Sequence, residues 1–259
     1  MAKPRVGIFD LTSCDGCQVE ILNLEDSLLD ILGKIDLVNF RIGKEVKEEG
    51  PYDVAIVEGS VSKTDEIERI KKIRDQSKIL IALGACATHG GVQANINFMD
   101  ENEVKKAAYG EERLTENYDV KSKPLSHYVD VDFNIRGCPI DKHDFVDILK
   151  QLLIGKIPKE KHNPVCMECR YNENVCQFQK KGKCLGPLTH GGCNAVCPSN
   201  NIACDGCRGP LEDLNLKAGL RIMKENNVSD KDILNMVRKF TGIDNYYEKI
   251  EELLKNGNY

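Results

Sequence analysis

The chain has 259 residues, 41% of them apolar and 30% charged, with a net charge of −5. That is enough for one large domain or two moderate ones, each with its own core. Nothing in that balance argues for nucleic acid, which would call for a clustered basic face, and the longest apolar run, Ile79 to Leu83, is far too short to span a bilayer. Met1 to Arg5 leads at once into a strand-like run, with neither a long apolar stretch nor a twin-arginine pair. The expected compartment is therefore the cytoplasm, where many cysteines point to metal more often than to disulfides.

Val6 to Leu11 reads as a short apolar strand. From Gln18 to Ile35, Ile21, Leu24, Leu28, Leu32 and Ile35 recur at helical spacing. Leu37 to Ile42 is a weaker strand, and Val54 to Val57 a third, ended by Gly59. Thr64 to Gln76 reads as a helix whose early Asp65 and Glu66 and late Lys71, Lys72 and Arg74 suit its dipole. Ile79 to Leu83 is a fully apolar strand ended by Gly84, and Val129 to Ile135 alternates up to Gly137. The piece from Asp100 to Ser126 is polar and reads as an insertion, and Asp141 to Ile154 as an amphipathic helix. Continuous apolar strands alternating with helices imply a parallel sheet covered on both faces. Gly155-Lys156-Ile157-Pro158 marks a boundary, giving expected domains 1–157 and 158–259. From Pro158 to Pro210 periodicity nearly disappears, and such a segment needs cross-links or metal to hold one shape. Within it Lys180, Lys181 and Lys183 read as a solvated loop. Leu211 to Tyr259 turns helical again, with Ser229 and Asp232 placed like a capping box. Tyr246 and Tyr247 are expected to cover a helix face.

All the cysteines fall into two sets. Cys14, Cys17, Cys86 and Cys138 each follow a predicted strand. In a doubly wound sheet the carboxyl ends of the strands share one edge, so these four can converge. Asp15 with Gln18 is placed to start a helix with Cys17 in its first turn, where free N–H groups favour a thiolate. Gly16, Gly84 and Gly137 let the backbone approach an inorganic core. The plain alternative is a thioredoxin-like pair at Cys14 and Cys17 with two buried thiols. No P-loop ending or G-x-G-x-x-G occurs, which argues against a nucleotide site.

The other eight, Cys166, Cys169, Cys176, Cys184, Cys193, Cys197, Cys204 and Cys207, crowd one short stretch. Zinc usually takes two C-x2-C pairs separated by a modest gap; here two such pairs enclose four further cysteines. Cys193-x3-Cys197-Pro198 is similar to the end of a ferredoxin motif. Since a cubane [4Fe–4S] cluster takes four thiolates, 12 cysteines suit three clusters. His162 and His190 read as groups behind the ligands or at the surface, and His89 as a surface residue or a hydrogen-bond partner of the first cluster.

Cys14-Asp15-Gly16-Cys17, Gly84-Ala85-Cys86-Ala87 with Gly90-Gly91, and Gly137-Cys138-Pro139 resemble the proximal-cluster motifs of [NiFe]-hydrogenase small subunits. Cys184-Leu185-Gly186-Pro187 and Ala203 to Gly209 carry the resemblance on to sulfhydrogenase delta subunits and the gamma-type subunits of methanogen hydrogenases. The resemblance implies a flavodoxin-like N-terminal domain followed by an irregular cluster-binding domain with C-terminal helices. It implies a proximal [4Fe–4S] cluster on Cys14, Cys17, Cys86 and Cys138, facing the nickel–iron centre of a separate large subunit. A medial cluster would take Cys193, Cys197, Cys204 and Cys207, and a distal one Cys166, Cys169, Cys176 and Cys184. Cys166 stands where the periplasmic uptake type has a histidine, and Cys197 where it has a proline beside a three-iron cluster. Three four-iron clusters, the medial one at lower potential, are therefore expected. They would relay electrons to a diaphorase-like or ferredoxin-like iron–sulfur or flavin subunit, the chain itself carrying no catalytic residue. The rivals are a hydrogen-sensing subunit, a zinc-stabilised scaffold, and a complex I-like subunit with a single cluster.

Overall fold

The computed structural model describes residues 2–110, 120–156, 158–160, 162–241, 245–257 and 259. Ile157 of the expected linker and residues 111–119 of the expected insertion lie outside them. The chain divides into two compact units, Met1–Pro158 and Lys159–Tyr259. Among the described residues no helix is long and apolar enough to cross a membrane.

In the first unit the strands are β1 (Arg5–Asp10), β2 (Asp36–Phe40), β3 (Tyr52–Glu58), β4 (Ser77–Leu83) and β5 (Phe133–Ile135). Among the described residues these five form one sheet in the order β2-β1-β3-β4-β5, and all pairs are parallel. The order reverses beside β1, as in flavodoxin-like folds, and that reversal opens a crevice at the carboxyl edge. Alternate strand residues feed two cores. Val6, Ile8, Val54, Ile56, Ile81 and Leu83 pack in one. Phe9, Ala55, Val57, Leu80 and Ala82 pack in the other, against Ile70 and Ile73 of helix α3 (Thr64–Asp75).

The helix expected over 18–35 is two helices, α1 (Gly16–Leu22) and α2 (Asp26–Leu32). Glu25 between them has φ 51°, which breaks the helical path. Ile21, Leu24, Ile31 and Ile35 still share one core, so the spacing reported the buried side and concealed the break. The last strand is only three residues long; Val129 and Val131 pack against the core from outside it. Helices α4 (Gly84–His89), α5 (Glu101–Tyr109) and α6 (Lys142–Leu153) complete the unit. The expected insertion thus contains a helix, capped by the Asp100 carboxylate on the N–H groups of Asn102 and Glu103.

The second unit begins irregularly, apart from two short helices, α7 (Val165–Tyr171) and α8 (Val196–Ser199). It closes with α9 (Leu216–Glu225), α10 (Asp230–Thr241) and α11 (Asn245–Asn256). Leu185 and Leu188 of the irregular part pack with Leu220, Met223, Ile233, Val237 and Ile250 of these helices. Tyr246 and Tyr247 pack at the edge of that core. The capping expectation holds: Asp232 N–H donates to Ser229 Oγ at 3.1 Å, and the Ser229 hydroxyl donates to the Asp232 carboxylate at 2.8 Å.

Candidate cluster-binding sites

The register of the sheet builds the first site. Asp10 pairs with Glu58, Glu58 with Leu83, and Leu83 with Ile135. The strand ends therefore stand in a row, and the cysteines follow within a few residues of β1, β4 and β5. The loops after β4 and β5 are tied by Ala85 N–H donating to the Gly137 carbonyl at 2.7 Å. Cys86 is pushed up to about 12 by burial and by the like charges of Cys138 and Cys14. Burial, then Glu58 and Cys86, push Cys17 up as well. Cys14, Cys17, Cys86 and Cys138 are thus electrostatic neighbours across more than a hundred residues of chain.

Asp15 does not cap α1 through its side chain; its own φ is 59°. Its carboxylate instead accepts from Gln18 Nε2 at 3.2 Å. The cap comes from Glu58, whose two carboxylate oxygens accept the N–H groups of Cys17 and Gln18, each at 3.1 Å. Glu58 is 2% exposed. Burial pushes its carboxyl up, and those two N–H groups pull against the shift. Sequence reasoning missed Glu58; the available signal is a lone carboxylate ending the otherwise apolar Val54-Ala55-Ile56-Val57 run.

Residues of the second site converge locally. Burial pushes Cys166 up to about 12, reinforced by Cys184, Cys169 and Cys176. Cys184 Sγ accepts N–H groups from Gly186 at 3.4 Å and from Cys204 at 3.3 Å. The Cys204 carbonyl in turn accepts Leu185 N–H at 2.9 Å, so the segments that carry Cys184 and Cys204 lie side by side. Cys204 is raised by burial and by Cys184 and Cys207. Val196 N–H donates to the Cys193 carbonyl, closing a turn that leads directly into Cys197 on α8. The turn at Cys207 is joined to the Cys193 loop by Arg208 Nε donating to the Gly191 carbonyl at 2.8 Å.

Glu168 lies between Cys166 and Cys169 yet serves the other loop. Its Oε1 accepts Gly192 N–H at 2.5 Å and its Oε2 accepts Ala195 N–H at 3.2 Å. Burial raises Cys193, Arg208 draws it down, and Glu168 adds to the rise. Glu168 and Arg208 are further residues that spacing alone did not reveal. Of the histidines, His190 is buried, His162 is exposed with Nδ1 3.9 Å from Glu212, and His89 Nδ1 lies 2.7 Å from Thr88 Oγ1.

Do these residues fit iron–sulfur clusters? Two glycines say that space is kept beside the sulfurs. Gly84 has φ +82°, and a Cβ there would lie 2.4 Å from Cys17 Sγ. A Cβ on Gly186 would lie 3.3 Å from Cys166 Sγ and 3.4 Å from Cys184 Sγ. The donor sets are thiols throughout, which suits iron–sulfur chemistry. Among the described residues no three His, Cys, Asp or Glu side chains gather tightly enough for a single metal ion. A cubane makes another demand, one thiolate per iron around a core several atoms across.

Residues 14–152 match the family described as NADH ubiquinone oxidoreductase, 20 Kd subunit, and the chain belongs to that family. The sulfhydrogenase 2 subunit delta of Pyrococcus furiosus is 40% identical over 237 residues, covering 91% of this chain and 98% of the relative. A subunit of the F420-non-reducing vhu hydrogenase of Methanococcus voltae is 32% identical, covering 82% of this chain and 84% of the relative. An actinobacterial-type NiFe-hydrogenase from Ralstonia eutropha H16 shares the fold, with a TM-score of 0.56 at 16% identity over 99% of this chain and 90% of that one. Within its family the chain is a hydrogenase subunit, part of an oxidoreductase complex.

Proposed function

We propose that this chain is the electron relay of a cytoplasmic [NiFe]-hydrogenase and holds three [4Fe–4S] clusters. Cys14, Cys17, Cys86 and Cys138 would hold the cluster nearest the large subunit. Cys193, Cys197, Cys204 and Cys207 would hold a medial cluster, and Cys166, Cys169, Cys176 and Cys184 a distal one. The domains would run 1–157 and 158–259. When bound, such clusters pass single electrons without making or breaking bonds to substrate.

The chain's own residues supply position and field. Glu58 orients the helix that carries Cys17. N–H groups on Cys184 Sγ stabilise negative charge there, one means by which a protein tunes cluster potential. The Cys204 N–H on Cys184 Sγ gives a hydrogen-bonded route from one cysteine set to the other. The observation that carries the proposal is the meeting of four thiols from three strand ends at one sheet edge. Partners on this reading are a nickel-binding large subunit and an iron–sulfur or flavin subunit of diaphorase or ferredoxin type.

Metal and sulfide analysis of anaerobically purified complex tests it. Three cubanes require about twelve iron and twelve sulfide per small subunit. About four of each would leave a single-cluster subunit, and zinc in place of iron would leave a scaffold.

A further inference from the structure

We propose that Glu66 is a positioning residue for the first cysteine site: through Thr12 it fixes the loop that carries Cys14, and so the place where that thiol meets its iron. The proposal rests on the reading of Cys14 as a cluster ligand and names what holds this thiol in register.

Cys14 needs such a support. Cys17 lies on α1 and Cys86 on α4, and the turn before Cys138 is tied to α4 by Ala85 N–H on the Gly137 carbonyl. Cys14 is exposed and lies on the loop between β1 and α1, outside both elements. The parallel pairing of β1 with β3 runs as far as Asp10 and Glu58. Two residues on, Thr12 pairs with Ser60 in the antiparallel sense. The N–H of each donates to the carbonyl of the other, at 3.1 and 3.0 Å. Gly59 makes this reversal possible. Its φ is +102°, and a Cβ there would lie 2.8 Å from the Leu11 carbonyl carbon.

A single bridged pair leaves the loop free to rotate about it, and Glu66 removes that freedom. It stands in the first turn of α3 and is 7% exposed. Its Oε1 and Oε2 accept from Thr12 Oγ1 at 2.9 and 3.1 Å, and Oε2 also accepts Ser62 N–H at 2.8 Å. One carboxylate thus clasps the residue two before Cys14 to the loop after β3. The clasp is itself braced. Ser122 Oγ donates to Ser60 Oγ at 2.8 Å, Ser62 Oγ lies 3.4 Å from Ser60 Oγ, and all three serines are fully buried. Ser122 is held in turn by Asn97, its N–H on Asn97 Oδ1 at 2.9 Å and its carbonyl accepting Asn97 Nδ2 at 2.8 Å. A fold alone does not require this arrangement. Apolar residues of similar volume often hold buried contacts as firmly, because burying a carboxylate costs desolvation. What hydrogen bonds add is direction. They define where the loop sits, beside a thiol whose bond to iron depends on its place.

The test uses the intact hydrogenase complex and three readouts: the EPR spectrum of the reduced clusters, the rate at which a ferrous chelator removes iron, and the thermal midpoint. The variants are Thr12→Val, Glu66→Ala and Glu66→Gln. Thr12→Val and Glu66→Ala should each alter the EPR signal of one cluster and speed the removal of about four irons about tenfold. Any other irons should leave at the wild-type rate. Glu66→Gln should stay near wild type, because an amide oxygen in the place of Oε2 can accept from both Thr12 and Ser62. Adding Thr12→Val to Glu66→Ala should change nothing further, since both remove one contact. Thr12→Val leaves Glu66 and its bond to Ser62 in place, so it decides the matter if Glu66→Ala fails to fold. Unchanged spectra and rates in Thr12→Val would overturn the proposal. So would additive effects in the double variant, or a Glu66→Gln protein that behaves like Glu66→Ala, which would assign the effect to charge. Equal iron loss from every cluster with a lowered thermal midpoint would make Glu66 a residue of the fold only and overturn it as well. A wild-type complex without iron would instead bring down the ligand reading on which the proposal stands.

Discussion

On the proposed relay reading, the two units reach the same chemistry by opposite means. In the first, the thiols are far apart in sequence, and the strand register brings them together at the edge of a sheet with a core on each face. In the second, the thiols are close in sequence and sit mainly on turns, fixed by hydrogen bonds such as those that Glu168 accepts from Gly192 and Ala195 and that Arg208 donates to the Gly191 carbonyl. A sheet can hold a cluster site open without its cluster. A set of turns with little apolar surface depends far more on what it binds.

Removing iron should separate the two units most strongly. Hydrogen exchange of metal-free protein should leave β1, β3 and β4 protected, while residues 162–210 exchange freely. The closing helices should be intermediate, since their core includes Leu185 and Leu188 from the irregular part. Uniform protection in both units would break the contrast. A narrower blow falls on the first site alone. Gly84→Val places a Cβ 2.4 Å from Cys17 Sγ and forces a branched residue to φ +82°. On the three-cluster proposal about four of twelve irons should be lost, with the sheet's circular dichroism retained.

Much of this contrast was legible in the sequence, and the reasons are physical. Apolar strands ended by Gly84 and Gly137 announced a parallel sheet, and a parallel sheet dictates where Cys86 and Cys138 must go. Hydrophobic spacing, however, is blind to backbone breaks that keep the buried side in phase, so the turn at Glu25 was hidden. It is also blind to partners recruited through space. Asp15 has the composition of a cap, but Glu58, at the far end of β3, takes the N–H groups of Cys17 and Gln18. Glu168 lies between Cys166 and Cys169 yet supports the loop around Cys193, a relation that spacing cannot express because it exists only between folded turns.

The remaining changes sharpen the comparison inside the second unit. Cys197→Pro removes one thiol from a position in the first turn of α8, where proline is tolerated. EPR should then report a three-iron signal with the other clusters intact; an unchanged spectrum would remove Cys197 from the ligands. Glu168→Gln is subtler. It deletes a negative charge beside Cys193 and leaves one of two N–H groups without its acceptor. The potential of the cluster on that loop should rise in a redox titration, and the unit should lose on the order of 1–3 kcal/mol. A fall in potential would mean that the loop, rather than the charge, governs the site.

The smallest effect belongs to a residue that touches neither site. Ser229 caps α10 through its hydroxyl, and α10 contributes Ile233 and Val237 to the core that also holds Leu185 and Leu188. Ser229→Ala should cost about 1 kcal/mol, read as a small shift in the denaturant midpoint. If the turns depend on their clusters, iron content and EPR should not change, because the core needs only to remain folded. If cluster signals weaken along with the cap, the helices and not the bound iron hold the turns in place, and the second unit would resemble the first more closely than its irregular backbone suggests.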